Sequence, residues 1–286
     1  MPLLQTFQSH PAIFVTAVSI ISLAIGSFLN VVIHRLPKMI ELRWRSELAE
    51  LTGQKAPPAP AYNLVLPRSQ CPACGHHIKA IENIPLVSYL VLGGRCSACK
   101  AGISLRYPLV EALTGALSGY IAWHYGFGWT AAAALVFAWT MIALACIDLD
   151  TFYLPDDITL PLAWAGLLVN MGGVFVDLRS AVIGAIAGYL SLWAVFWAYK
   201  LATGKDGMGY GDFKLLAAIG AWLGWKMLPV VILLSSFAGA AVGISLIVFA
   251  RHGRNVPIPF GPYLVLGGLV AMFWGESIVN YYLRVL

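Results

Sequence analysis

The chain alternates between long apolar runs and shorter polar segments. Crossing a bilayer as a helix takes about 20 residues. Apolar runs of about that length lie at residues 11–33, 108–123, 128–147, 158–176, 180–199, 227–250 and 258–283. The stretch "LLAAIGAWLGW" at 215–225 is shorter, and it either spans the membrane, re-enters it or lies flat on it. The pattern therefore predicts an all-α polytopic membrane protein with seven or eight transmembrane helices.

Basic residues decide between these two counts, because short cytoplasmic loops are enriched in Lys and Arg. With eight spans, fifteen of the eighteen Lys and Arg residues lie inside. Seven spans would place Arg251 and Arg254 on the outer face. We therefore expect eight helices, with both termini outside and an uncleaved first helix. Since topology accounts for the net charge of +5, and nothing else in the sequence indicates a nucleic-acid partner, we expect none.

The polar segment between the first two spans contains two Cys-x-x-Cys pairs, "CPAC" at 71–74 and "CSAC" at 96–99. Four thiolates at this spacing are typical of a closed, tetrahedral zinc site, which has no open position for catalysis. Two disulfides are the alternative, although they rarely persist in the reducing cytoplasm. We expect His76 and His77 to be solvated, and Cys146 to be a small buried residue. The predicted zinc ligands are Cys71, Cys74, Cys96 and Cys99.

Two acidic residues lie where apolar runs meet the predicted cytoplasmic face. Asp148 follows the third run in "ACIDLDTFYLPD", and Asp212 ends "GMGYGD", directly before the short apolar stretch. Ionisable groups at this depth are costly and usually functional. Two carboxyls brought close together cannot both ionise cheaply, so one keeps a proton while the other acts as a base. This is the working state of an aspartyl protease, and the glycines would permit close approach of an extended substrate.

Other interpretations of these acids stay open from the residues alone. A proton-coupled transporter could use the same carboxylates as a proton relay, and acids at helix ends can be simple caps. Asp157 looks like a helix cap, whereas Asp150 and Asp156 are harder to exclude from the chemistry. Glu111, inside the second run, is expected to pair with a nearby basic residue.

A series of motifs in one order extends the argument over almost the whole chain. The motifs are "GSFLNVVIHRLP" at 26–37, "CPACGHHI" at 71–78, "ENIPLVSYLVLGGRCSACK" at 82–100, "RYPLVEALT" at 106–114, "IDLDTFYLPD" at 147–156, "GMGYGDFKLLAAIGAWLG" at 207–224 and "IPFGPYL" at 258–264. In these motifs the chain resembles the bifunctional type IV prepilin peptidases of Gram-negative bacteria, also called leader peptidase and N-methyltransferase.

The resemblance implies an inner-membrane enzyme with two activities. It would cut the basic leader from type IV prepilins and type II secretion pseudopilins on the cytoplasmic side, with Asp148 and Asp212 as the catalytic pair. It would then methylate the new N-terminus with S-adenosylmethionine, an activity that the family associates with the zinc-bearing loop. Gly93 and Gly94 in "LGGRC" are candidates for cofactor approach, or a tight turn beside the zinc knuckle; the sequence has no glycine-rich βαβ fingerprint.

The expected organisation has three parts: a transmembrane helix at 1–33, a cytoplasmic zinc-binding loop domain at 34–105 and a transmembrane aspartyl peptidase domain at 106–286. Both termini would be periplasmic, and the partners would be prepilin and pseudopilin substrates and membrane lipid. Asp150, Asp156 and Asp157 are weaker candidates for binding the basic leader. The alternatives are a broader-specificity intramembrane aspartyl protease without methyltransferase activity, and the transporter.

Overall fold

The computed structural model describes residues 2–53, 62–249 and 258–285. Within these ranges there are ten α-helices and no β-strand, so the all-α prediction is confirmed. The helices are α1 (Pro2–Ser9), α2 (Pro11–Leu51), α3 (Val87–Val91), α4 (Arg106–Tyr125), α5 (Trp129–Thr151), α6 (Asp156–Met171), α7 (Leu178–Thr203), α8 (Tyr210–Leu223), α9 (Leu228–Phe249) and α10 (Gly261–Val285).

Five of these helices, α2, α5, α7, α9 and α10, are long and apolar enough to cross a membrane. The protein is therefore a multi-pass membrane protein. The remaining predicted spans correspond to α4, α6 and α8, of 20, 16 and 14 residues. At 1.5 Å per residue, α6 and α8 measure only about 24 and 21 Å. The count of eight crossings stays a prediction, and Arg251 and Arg254, which favoured it, lie outside the described residues.

Helix α2 continues well past the end of its apolar run. It has 41 residues and passes through Pro37 before ending at Leu51. The added segment is rich in good helix formers, and Arg45 and Glu41 form an i,i+4 ion pair at 2.6 Å. At about 60 Å, α2 is roughly twice as long as a bilayer core is thick. Its C-terminal part therefore extends beyond the membrane.

The chain divides into two compact units, residues 1–139 and 140–286. In the first unit α2 and α4 pack in antiparallel orientation through small residues. A Cβ on Gly26 would lie 2.7 Å from the Glu111 Cα, so the two backbones are in close contact. One turn further along α2, the Asn30 side-chain amide donates to the Tyr107 carbonyl at 3.0 Å. These contacts fix the register of the two helices.

In the second unit α8 is the central helix. Ten of its fourteen residues are buried, and it packs against α6, α7, α9 and α10. Gly184 and Gly188 of α7 let that backbone approach α8: Gly184 touches Gly220, and a Cβ on Gly188 would lie 2.6 Å from the Leu216 carbonyl oxygen. Burial on several sides is incompatible with α8 lying flat on the membrane surface.

Candidate active site and metal centre

Asp148 lies in the last turn of α5. This helix ends after Thr151, where Phe152 takes a left-handed conformation with φ of 54°. The Asp148 side chain is buried, with 5% of the residue exposed. Its Oδ2 accepts a hydrogen bond from the Gly261 backbone N–H at 2.9 Å. A residue 113 positions away in sequence therefore orients this carboxyl.

Gly261 fits this role because it is the first residue of α10. The first N–H groups of a helix have no intrahelical acceptor, so they are available to a neighbouring carboxyl oxygen. A Cβ on Gly261 would lie 2.6 Å from Asp148 Oδ2, which means that only glycine allows this approach. The motif "IPFGPYL" had not by itself indicated a function for Gly261. The Gly-Pro pair that opens the helix was the available signal.

Asp212 lies in the first turn of α8 and is 6% exposed. Gly209 precedes the helix in extended conformation, and its carbonyl accepts from the Asp212 N–H at 3.2 Å. A Cβ on Gly211 would lie 2.8 Å from the Leu154 Cβ. The glycine-rich stretch thus lets the start of α8 approach the loop that follows α5.

The two predicted acids lie in the same part of the fold. Asp148 and Asp212 both belong to the second unit, and their carboxyl groups are close enough to interact electrostatically. Both are buried in helices that carry few other charges. The arrangement is a pair of carboxyls, one of them oriented by a backbone N–H, at the ends of two apolar helices.

The other acids of this region have different surroundings. Both carboxylate oxygens of Asp156 lie 2.7 Å from Lys214 Nζ, so its charge is balanced by an ion pair that joins α6 to α8. Asp150 and Asp157 are exposed. The interpretation of Asp157 as a helix cap is wrong, because Pro155 is the N-cap and Asp157 lies inside the first turn of α6.

The four knuckle cysteines form a compact cluster in the first unit. Their Sγ atoms lie within 4.8 Å of one another, with 3.8 Å between Cys71 and Cys99 and 4.0 Å between Cys74 and Cys96. A tetrahedron with Zn–S bonds of about 2.3 Å has edges of about 3.8 Å. All four thiols are free, so the disulfide alternative is excluded. The cluster fits a tetrahedral metal ion such as zinc.

The two knuckles have the same backbone closure. The Gly75 N–H donates to the Cys71 carbonyl at 2.9 Å, and the Lys100 N–H donates to the Cys96 carbonyl at 3.1 Å. Gly75 and Lys100 both take left-handed conformations, with φ of 71° and 61°. In the first knuckle, hydrogen bonds from the backbone N–H groups of Ala73 and then Cys74 lower the pKa of the Cys71 thiol to about 7, which favours the thiolate that a metal needs.

His76 connects the two knuckles. Its Nε2 lies 3.2 Å from Glu82 Oε2 and 3.3 Å from Ser97 Oγ. The Lys79 backbone N–H, followed by Ser97 and His76, lowers the pKa of Glu82 to about 2. The expectation that His76 is simply solvated is therefore wrong, while His77 is exposed as expected.

Gly93 and Gly94 form a turn directly after α3, both with positive φ. Their N–H groups donate to the Leu90 and Tyr89 carbonyls. A Cβ on Gly94 would lie 2.8 Å from the Tyr89 hydroxyl, whereas Gly93 has open space around it. Their geometry is that of a tight turn beside the second knuckle.

Glu111 is buried in α4, and its hydrogen-bond partner is a backbone N–H, not the basic side chain that was expected. Its Oε2 accepts a hydrogen bond from the Leu86 backbone N–H at 2.9 Å. The sequence had suggested a basic side chain as the partner. Glu111 thus connects α4 to the segment that begins α3.

Comparison with known families covers most of the chain. Residues 20–125 match the family model described as the bacterial peptidase A24 N-terminal domain. Residues 135–244 match the model of the type IV leader peptidase family.

Curated relatives match the chain along almost its full length. The prepilin leader peptidase/N-methyltransferase of Pseudomonas aeruginosa is 55% identical over 285 residues, which is 99% of this chain and 98% of that protein. The protein of the same name from Aeromonas hydrophila is 55% identical, and covers 98% of each chain. That of Stutzerimonas stutzeri is 53% identical, over 98% of this chain and 97% of the relative. No solved structure matches the chain. The two family models and these relatives confirm the resemblance drawn from the motifs, and the chain belongs to the type IV leader peptidase family.

Proposed function

We propose that this protein is an aspartic endopeptidase that removes the leader of type IV prepilins and then methylates the new N-terminal residue. Membership of the type IV leader peptidase family and the names of the relatives support both activities. The observation that carries the peptidase assignment is the pair of buried acids, Asp148 and Asp212, which are near enough to interact electrostatically, with Asp148 oriented by the Gly261 N–H. Pseudopilins of type II secretion are proposed as further substrates.

The mechanism follows from two neighbouring carboxyls sharing one proton. The ionised member takes a proton from a water molecule, whose oxygen attacks the scissile carbonyl carbon. The protonated member donates its hydrogen to the carbonyl oxygen, and the proton taken from water then goes to the leaving amine. The Gly261 N–H holds Asp148 in one orientation, so the pair is arranged before the substrate arrives.

In the first unit we propose that Cys71, Cys74, Cys96 and Cys99 hold a structural Zn²⁺. A zinc ion with four thiolate ligands supplies no open coordination position, so its contribution is to hold the two knuckles together. The methyl donor would be S-adenosylmethionine. Gly93 stays the better of the two candidate approach sites, because the space beside it is open and that beside Gly94 is filled by Tyr89.

The proposed organisation keeps the parts expected from the sequence: a membrane helix at 1–33, a cytoplasmic zinc-binding loop at 34–105 and a peptidase domain at 106–286. Eight crossings would put both termini in the periplasm and the acid pair at the cytoplasmic face. This depth suits a prepilin, whose basic leader is cytoplasmic and whose following helix is apolar. Asp150 and Asp157 stay candidates for leader binding, while Asp156 is already neutralised by Lys214.

The test is cleavage of a purified prepilin by Asp148→Asn and Asp212→Asn variants in detergent or lipid. Each should lose at least about 10³-fold in rate, as expected when one member of a catalytic unit is removed. Asp206→Asn is the matched control, because it removes an exposed carboxylate six residues before Asp212, and it should retain activity within about threefold. Melting temperature and zinc content establish that each variant is folded. Undiminished cleavage by either Asn variant would overturn the assignment.

Two further assays separate the alternatives. Cleavage of membrane proteins that lack a pilin-type leader would indicate a broader intramembrane protease. Transfer of label from S-adenosylmethionine to the cleaved pilin tests methylation, and proton flux in liposomes without substrate tests the transporter.

A further inference from the structure

The segment 81–91, between the two knuckles, exposes an unusual amount of apolar surface. Ile81, Leu90 and Val91 are each more than three quarters exposed, and Ile84 and Val87 are about half exposed. A contiguous exposed patch of large apolar side chains indicates an interface with protein or membrane. We call residues 81–91 the apolar segment.

The hydrogen bond between Leu86 and Glu111 fixes the depth of this segment. Glu111 lies five residues inside α4, and helical side chains tilt back toward the N-terminus of their helix. The Leu86 amide therefore lies level with the first turn of α4. Across the helix pair, Glu111 faces Gly26, which is about 10 Å inside the apolar run of α2. The apolar segment is thus held at the level where α2 and α4 enter the membrane.

Glu111 also supplies the acceptor that the Leu86 backbone N–H needs at this depth. Leu86 is the N-cap of α3, and a helical N–H donates to a carbonyl four residues earlier, so the Leu86 N–H has no acceptor within that short helix. A backbone donor without an acceptor is strongly unfavourable near hydrocarbon, where no water can replace the partner. The Glu111 carboxyl oxygen accepts this hydrogen and attaches the segment to α4.

We propose that the apolar segment is an interfacial membrane anchor, whose large side chains insert among the lipids at the boundary between headgroups and acyl chains. The occupant of the exposed face is lipid, because the segment is attached to α4 at the level where that helix enters the membrane. The flanking basic residues Lys79 and Arg95 are exposed and suit anionic headgroups. The anchor holds residues 62–105, which carry both knuckles and are called the knuckle loop, against the bilayer.

The test is site-specific photo-crosslinking in lipid nanodiscs that hold one copy of the full chain and no prepilin. A benzophenone amino acid replaces Leu90, and lipid adducts are measured by mass spectrometry after irradiation. Ile20, on the apolar run of α2, is the positive control, and Leu48, on the part of α2 beyond the membrane, is the negative control. Both are 62% exposed. Leu90 should give lipid adducts within about threefold of Ile20 and at least tenfold above Leu48.

A second arm tests the attachment. In the Leu90-labelled protein, Glu111→Ala should lower the lipid adduct at least threefold, while Glu111→Gln, which keeps an acceptor oxygen, should preserve it. The Ile20 adduct and the zinc content verify that the variants are folded. An adduct at Leu90 no higher than at Leu48, or adducts to protein in place of lipid, would overturn the anchor. An adduct unchanged by Glu111→Ala would overturn the proposed role of Glu111.

Discussion

The knuckle loop and the helices around α8 keep their shapes by different means. Among residues 62–105, only Cys71 and Cys96 are buried, so the loop has almost no apolar core. In α8, by contrast, ten of fourteen residues are buried among neighbouring helices. A segment without a core needs a few strong bonds, such as those to a metal, whereas a helix bundle depends on many weak contacts.

This difference determines where each region is vulnerable. The loop depends on its four thiols and on two turns with unusual backbone angles. The bundle depends on small residues: Gly184 lets the α7 backbone approach α8, and Gly261 lets the start of α10 approach the Asp148 carboxyl.

The largest expected effect is the loss of the proposed zinc ion. Removing zinc with a chelator, or making the Cys71→Ser and Cys99→Ser double variant, should unfold the loop, because metal binding supplies its folding free energy. Hydrogen exchange in residues 62–105 should accelerate at least about 100-fold, while exchange in α8 stays unchanged. Exchange measured by mass spectrometry reports both regions in one experiment. A loop that stays protected without metal would contradict the comparison.

Gly261→Ala should strongly reduce cleavage. The added Cβ would lie 2.6 Å from Asp148 Oδ2, so the carboxyl must move although the N–H donor is kept. A displacement of about 1 Å can cost roughly 100-fold in rate. Prepilin cleavage should fall by about 10- to 100-fold in kcat, with zinc content unchanged. Gly243→Ala on α9, where the new Cβ meets only an ordinary contact at 3.4 Å, is the control.

Gly184→Ala tests the packing of α7 on α8. At an open helical site this change stabilises by up to about 1 kcal/mol, because alanine is the better helix former. Here the new Cβ would collide with the Gly220 backbone, and overpacking of this kind costs about 1–3 kcal/mol. The melting temperature of Gly184→Ala should therefore fall, while that of Gly243→Ala stays equal or rises. A rise for both would show that α7 and α8 are not in backbone contact.

The smallest effect is expected in the knuckle turns. Gly75→Ala places a side chain at φ of 71°, which costs about 1–2 kcal/mol. Lys100→Ala changes the equivalent residue of the second knuckle, which already carries a Cβ at φ of 61°, and should be neutral. Transfer of zinc to a chelator should be about fivefold faster or more for Gly75→Ala and unchanged for Lys100→Ala. Equal rates would mean that the turn conformation does not limit metal retention.

Local patterns predicted the parts of this protein that depend on local physics. The apolar runs predicted the helices, because a backbone in lipid must form all of its hydrogen bonds within its own segment, and a helix does so. The spacing of the cysteines predicted a four-thiol cluster, since two residues between cysteines suffice for a knuckle. The positions of Asp148 and Asp212 at the ends of apolar runs predicted that they would lie at similar depth.

The amino-acid sequence by itself determined an all-helical membrane protein with one cysteine cluster and a pair of acids at helix ends. Only the tertiary structure decided that Gly261 orients Asp148, that Lys214 neutralises Asp156 and that Glu111 accepts the Leu86 amide. The reason is that each of these contacts joins residues between 25 and 113 positions apart. A periodic pattern reports which face of a helix is apolar, whereas the partner of a single polar atom depends on how the helices pack.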